Sequence, residues 1–144
     1  SNLRITKRYT EQDRADFLLD SFAFLEKFVQ GSLAELDTRN PDISTRFRKI
    51  DANRFTATAY RDGKLTSACT LYLADRDIRY SMSADQTTNS YNEAVHVEAD
   101  DQAMYLKAMG MAYHATGGRD AHLTAEGAAE MFWSLFIGSL QDRA

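Results

Sequence analysis

The sequence predicts an α+β fold: an antiparallel meander sheet of about five strands, with an N-terminal and a C-terminal helix packed on one face. Three observations lead to this fold class. The chain has helical periodicity at both ends, apolar and polar residues alternate in its middle, and an Asp62-Gly63 turn separates two of the alternating runs. An antiparallel sheet can bury one face and leave the other in water, so both helices are expected on the buried face.

The first helix is predicted from Thr10 to Leu36, with Thr10 as N-cap and the acidic residues Glu11 and Asp13 in the first turn. It has ended by the residue before Pro41, because that residue is pushed out of helical geometry. Apolar residues recur at steps of three and four in two neighbouring stripes, which comprise Leu18, Phe22, Leu25, Val29, Leu33 and Leu36, and beside them Phe17, Phe24 and Phe28. A face this wide predicts contact with another helix or a partner chain as well as with the sheet.

The middle of the chain predicts a hairpin and a third strand. Asp62-Gly63 favours a two-residue type I′ turn, because both central positions need positive φ, and this pairs Arg61 with Lys64. The pattern leaves open which face of this hairpin is buried. The preceding "RFRK" at residues 46–49 is either a local basic patch or a solvated loop or strand edge. A strand is expected in "DIRYSMS", followed by a polar loop over residues 84–92.

A second hairpin is predicted in "EAVHVEADDQAMYLKAMGM", with its turn at residues 100–101. Pairing Ala99 with Gln102 places His96 directly opposite Tyr105. In this register the inward face carries Val95, Val97, Met104 and Leu106, and the outward face carries His96, Glu98, Tyr105 and Lys107. A histidine beside a tyrosine and a carboxylate, with Arg79 on a neighbouring strand, can serve acid/base chemistry or binding, or can form a plain cross-strand ladder.

The loop before the last helix, "HATGGRDAHLTAEG", is the second candidate site. Its candidate ligand-binding residues are His114, Gly117, Gly118, Arg119, Asp120 and His122. Two adjacent glycines let backbone amides converge beside an arginine and a helix start, which suits an anion, although the lysine of a P-loop is missing. A metal site is the second reading, but the two histidines are eight positions apart and no HExxH spacing is present. The third reading is a structural connection to the helix that Thr124 caps.

Composition limits the remaining possibilities. The 144 residues carry a net charge of −4 and one cysteine, Cys69, so we expect no nucleic-acid partner, no disulfide and a reducing compartment. No apolar run is long enough to span a bilayer and no signal-peptide pattern is present, which predicts a cytoplasmic location without membrane contact. We interpret Ser1 and Asn2 as a remnant of expression and expect a single domain over residues 3–144, cut from a longer protein. No metal, cofactor or catalytic residue is predicted, and no GxSxG motif occurs.

Three segments together resemble a known kind of domain. They are "DANRFTATAYRDGK", "NEAVHVEADDQAMYLKAMGM" and "LTAEGAAEMFWSLFI". The combination resembles an uncharacterised accessory domain that occurs in the C-terminal parts of some bacterial TIR-type and other multidomain proteins. The resemblance implies a sensing or regulatory module without catalytic activity, with any enzyme activity in a partner domain, and it carries over no site residues.

We therefore expect a ligand-sensing or protein-interaction module of a larger bacterial protein, without catalytic activity. It would bind a small anionic ligand or a partner domain, and its wide apolar helix faces suggest a homodimer. The alternative is a small hydrolase that uses His96, Tyr105 and the Arg119-Asp120 loop. An enzyme requires these side chains to converge in a deep pocket, whereas a binding module can present them on an open surface.

Overall fold

A computed structural model describes residues 5–85, 87–110, 112, 118 and 120–141. The elements, in chain order, are α1 (Glu11–Arg39), β1 (Ile43–Asp51), β2 (Arg54–Arg61), β3 (Lys64–Ala74), β4 (Asp77–Ser81), β5 (Glu93–Ala99), β6 (Met104–Ala108) and α2 (Ala125–Gln141). The predicted α+β class is confirmed. The strands form one antiparallel sheet in the order of the chain, and it has six strands rather than five.

Helix α1 begins where the sequence predicts, because Thr10 and Asp13 form a capping box. The Asp13 amide donates to the Thr10 hydroxyl at 3.0 Å, and the Thr10 amide donates to the Asp13 carboxylate at 2.9 Å. The helix continues unbroken to Arg39, with Asn40 as C-cap before Pro41. Among the described residues, neither helix combines the length and the hydropathy that crossing a bilayer requires.

The core lies between one face of the sheet and the two helices, which also contact each other. Phe22 of α1 meets Phe55 of β2 at 5.5 Å between ring centroids, and Phe132 of α2 stacks on Tyr80 of β4 at 5.5 Å. Both helices therefore cover the same face of the sheet, as predicted. The double contact of α1 with the sheet and α2 accounts for most of its wide apolar stripe, but Phe24 is 40% exposed.

Strand β1 contains "RFRK", which agrees with the strand-edge interpretation of this segment and not with a loop. Phe47 turns inward and lies 5.2 Å from the Phe55 ring, whereas Arg46 and Arg48 are exposed. The strand lies at the edge of the sheet, where the Thr45 amide donates to Asp37 of α1 at 2.8 Å. A charged edge strand of this kind discourages pairing with other chains.

The first hairpin has the predicted turn but an irregular register. Asp62 and Gly63 both adopt positive φ, and Arg61 pairs with Lys64. A β-bulge follows, so Thr58 lies opposite Ala68 instead of the predicted Ser67. The bulge turns Ser67 and Cys69 to the core-facing side with Phe55, whereas the predicted register groups them with Thr58 on the other side.

The second hairpin is shifted by two residues from the predicted register. Ala99 pairs with Met104 rather than Gln102, because the turn spans residues 100–103. The Asp100 carboxylate closes this turn by accepting from the amides of Gln102 and Ala103 at 2.8 and 2.9 Å. Side chains alternate with period two, so an even shift leaves every residue on its predicted face.

The loop between β4 and β5 crosses the outer face of the sheet, the face away from the helices. Thr70 donates to the Ser83 carbonyl at 2.6 Å, and the Tyr72 hydroxyl donates to the Ser90 carbonyl at 3.1 Å. Both side chains belong to residues that are buried beneath this loop. The outer face is thus covered at its centre and open at the β5–β6 end, where the candidate residues lie.

Candidate functional site

The two candidate sites predicted from separate parts of the sequence meet on the outer face of the sheet. Leu106 of β6 and Leu123, which precedes α2, form an isolated antiparallel bridge with N–H to O=C distances of 2.8 and 2.9 Å. The bridge carries the residues before Leu123 to the edge of β6. The resulting cluster, here called the histidine patch, consists of His96, Glu98, Tyr105, Lys107, Asp120 and His122.

The two segments touch through one stacked pair and one ion pair. The ring of His122 lies flat on the ring of Tyr105, with centroids 3.6 Å apart and an interplanar angle of 6°. The Lys107 ammonium lies 3.5 Å from the Asp120 carboxylate. Contacts between the hairpin and the loop thus define the patch on one side.

His96 defines the patch on the other side. It lies opposite Lys107 in the sheet rather than opposite Tyr105, whose partner is Glu98, so the predicted His96–Tyr105 pair is wrong. The His96 Nε2 atom is 3.6 Å from the Glu98 carboxylate. Its Nδ1 atom is buried and has no hydrogen-bond partner within the described parts of the chain.

The patch is open to solvent and carries mixed charges. The side chains of His96 and His122 are 28% and 53% exposed, and that of Asp120 is 87% exposed. Each basic group has a carboxylate within 4 Å, since His122 Nδ1 also lies 3.9 Å from Asp100. Such a surface can bind a partner through hydrogen bonds and charge, but it does not enclose a reacting group.

Arg79, a predicted binding residue, instead contacts the loop between β4 and β5. Its guanidinium lies 3.2 Å from the Asp77 carboxylate and 4.6 Å from the centre of the Tyr91 ring. Tyr91 belongs to the loop that crosses the outer face, and Arg54 makes a similar contact with Tyr72 at 4.3 Å. Arg79 therefore holds this loop against the sheet and does not contribute to the patch.

The remaining loop predictions are covered only in part. His114, Gly117 and Arg119 lie outside the described residues. Gly118 has φ of +128° and its carbonyl accepts from the Ala121 amide at 3.3 Å, which leads the chain toward the bridge. Within the described residues, no group of three or more histidine, cysteine or acidic side chains could hold a metal ion.

Glu93 is a buried charged residue whose structural role next to the patch the sequence analysis missed. Its carboxylate is buried at the start of β5 and accepts from the amides of Ala94, Gly110 and Ala112. The last two belong to the beginning of the connection that ends in the patch. A single glutamate after a polar loop gives no sequence signal for this role, because its partners lie 17 and 19 residues away.

Comparisons with known proteins identify a family. The model of a family described as Y4lF protein domain matches residues 44–138. The uncharacterized protein y4lF of Sinorhizobium fredii is 45% identical over 145 aligned residues, which cover 98% of this chain and 45% of that relative. The chain thus spans less than half the length of that relative. No solved structure matches the chain. The chain belongs to the Y4lF protein domain family.

Proposed function

We propose that this domain is a binding module without catalytic activity, part of a larger bacterial protein, and that the histidine patch is its binding surface. The observation that carries the proposal is the meeting of the hairpin and the loop at the Leu106–Leu123 bridge. This bridge brings His122 and Asp120 to the exposed surface of the hairpin that carries His96, Tyr105 and Lys107. Polar groups brought together on a surface, rather than dispersed over it, are typical of a recognition site.

The favoured ligand is a small anion with a planar body. Lys107 is held at 3.5 Å by Asp120, whose side chain is 87% exposed, so the carboxylate of Asp120 can be displaced by an incoming anion. The stacked His122 and Tyr105 rings offer a flat surface on which a planar group can lie. Asp120 would then act as an internal competitor that moderates affinity.

Binding is favoured over the hydrolase alternative because the patch is open. The His96 Nε2 atom faces Glu98, and one face of the Tyr105 ring is covered by His122, so the two groups do not converge on one enclosed space for substrate. A cytoplasmic location and a homodimer remain proposals, and so does the resemblance to accessory domains of TIR-type proteins. Sedimentation at high protein concentration tests the homodimer, which a strict monomer would exclude.

The binding proposal is tested by titrating ¹⁵N-labelled protein with inorganic phosphate, ADP and ATP. At ten times Kd a ligand stabilises the folded state by about 1.4 kcal/mol, which raises Tm by roughly 3–6 °C. We expect amide signals of Lys107 and His122 to move, and the shift to be lost in Lys107→Ala. Lys64→Ala, at the exposed turn of the first hairpin, is the matched control.

Two results would contradict the proposal. If none of the three anions moves the signals of the patch, the surface does not bind this ligand class. If p-nitrophenyl phosphate or p-nitrophenyl acetate is hydrolysed by the wild type and not by His96→Ala, the hydrolase alternative replaces the binding module.

A further inference from the structure

A cleft beside the histidine patch has the size of a small-molecule site. It opens between the first turns of α1, the turn at residues 75–76 and the end of β5, and its volume is about 690 Å³. Ligand pockets commonly measure roughly 300–1,000 Å³. The cleft exists because β4 begins at Asp77, opposite His96, whereas β5 continues to Ala99. Residues 97–99 therefore pair with β6 but not with β4.

The floor of the cleft is apolar and its rim is polar. Ala15 and Leu18 of α1 and Val97 of β5 line it with aliphatic side chains. Leu18 is itself part of the hydrophobic core, so the floor is continuous with rigid structure. An apolar floor with a few polar groups at the rim suits a ligand that has an aliphatic body and one polar end.

The charges around the rim favour a cation. The lining includes four carboxylates, from Glu11, Asp75, Asp77 and Glu98, and two guanidinium groups, from Arg14 and Arg76. Arg79, which does not line the cleft, pairs with Asp77, so an excess of one negative charge remains. The whole chain also carries a net charge of −4. Carboxylates around a concave site with apolar walls attract positively charged ligands.

The lining also holds one polar atom that lacks a partner. His96 lines the cleft, and its buried Nδ1 atom has no hydrogen-bond partner among the residues that the structure describes. Buried polar atoms are nearly always hydrogen-bonded, so this atom indicates a missing partner. With Nε2 directed at Glu98, a neutral imidazole presents Nδ1 as an acceptor. An ammonium group carries three N–H donors, and it reaches the buried Nδ1 atom when the His96 ring turns toward the cleft.

We propose that this cleft binds a small organic cation, whose ammonium group lies among the rim carboxylates beside His96 and whose aliphatic body lies on Ala15, Leu18 and Val97. The proposal stands apart from the anion proposed for the histidine patch, because it rests on a different space and on the opposite charge. His96 and Glu98 belong to both.

Three probes with the same six-carbon body test the charge preference: hexylammonium, hexan-1-ol and hexanoate. Each is titrated into ¹⁵N-labelled protein at millimolar concentrations. We expect hexylammonium to move the amide signals of Ala15, Leu18 and Val97, and to bind roughly twofold to fivefold more tightly than hexan-1-ol, as one partly screened ion pair allows. Hexanoate is expected to bind most weakly.

Two conservative variants test the role of the rim. Glu98→Gln and Asp75→Asn are expected to weaken hexylammonium roughly twofold to fivefold and to leave hexan-1-ol unchanged. Both side chains are at least partly exposed, so the fold should persist, and Glu130→Gln on the exposed side of α2 is the matched control. The proposal is overturned if hexanoate binds as tightly as hexylammonium, if no probe moves the three amides, or if Glu98→Gln behaves as the control does.

Discussion

The buried carboxylate of Glu93 offers the sharpest test of how the start of the connection between β6 and α2 is held in place. Glu93→Ala removes the acceptor of three amide N–H groups, those of Ala94, Gly110 and Ala112. The Ala94 and Ala112 distances are both 2.8 Å. The bond from the Ala94 amide is buried, so water cannot take the place of the lost carboxylate oxygen.

The magnitude follows from the burial of each bond. An orphaned buried donor costs about 1–3 kcal/mol, and the two bonds to Gly110 and Ala112 are only partly buried, so water restores some of their loss. Removal of a desolvated carboxylate offsets a further part. We therefore expect Glu93→Ala to lower the free energy of unfolding by about 3 kcal/mol and Tm by roughly 6–12 °C.

Equilibrium unfolding in urea, followed by circular dichroism, measures this change. Glu93→Gln keeps one acceptor oxygen and should fall between the wild type and Glu93→Ala. Glu130→Ala, at an exposed site on α2, is the control and should stay within about 0.5 kcal/mol of the wild type. A Glu93→Ala variant as stable as this control would refute the role assigned to the carboxylate.

Three further predictions follow from single contacts. Gly110→Ala places Cβ 2.7 Å from the Glu93 carboxylate and should cost about 1–3 kcal/mol, with a smaller cost in a Glu93→Ala background, where equal costs would contradict the clash. Burial raises the pKa of the Cys69 thiol to about 12, so iodoacetamide should react only after urea unfolds the protein, and rapid native reaction would contradict this. Arg79→Ala removes the contacts to Asp77 and Tyr91 and should speed amide exchange in residues 87–92, whereas unchanged exchange would show that the loop is held by other contacts.

Features encoded over a few neighbouring residues were predictable from the sequence. The start of α1 depends on Thr10 and Asp13, three positions apart, and the first hairpin turn depends on Asp62 and Gly63 alone. Strand β1 was harder to predict. It has few inward apolar residues, such as Phe47, between its exposed arginines, and it forms a strand by pairing with β2. Local chemistry predicts caps and turns, while an edge strand requires knowledge of its neighbour.

The candidate site was predictable as a set of residues but not as an arrangement. His96, Tyr105 and His122 were all singled out by residue type, yet their meeting depends on one bridge between segments that are 17 residues apart. A single bridge involves one residue pair, so no periodic pattern in the sequence predicts it. The loop that covers Thr70 and Tyr72 was likewise recognisable as a loop, but not as the cover of the sheet.

The bridge between Leu106 and Leu123 also has an evolutionary consequence. Because Leu106 and Leu123 are hydrogen-bonded to each other, the chain between them leaves β6 and returns to the same point of β6. Doubling the length of a flexible closed loop adds only about 0.6 kcal/mol of entropic cost. Insertions between Ala112 and Asp120 should therefore add little to the cost of folding, whereas Gly110 and Ala112 are held by their bonds to Glu93.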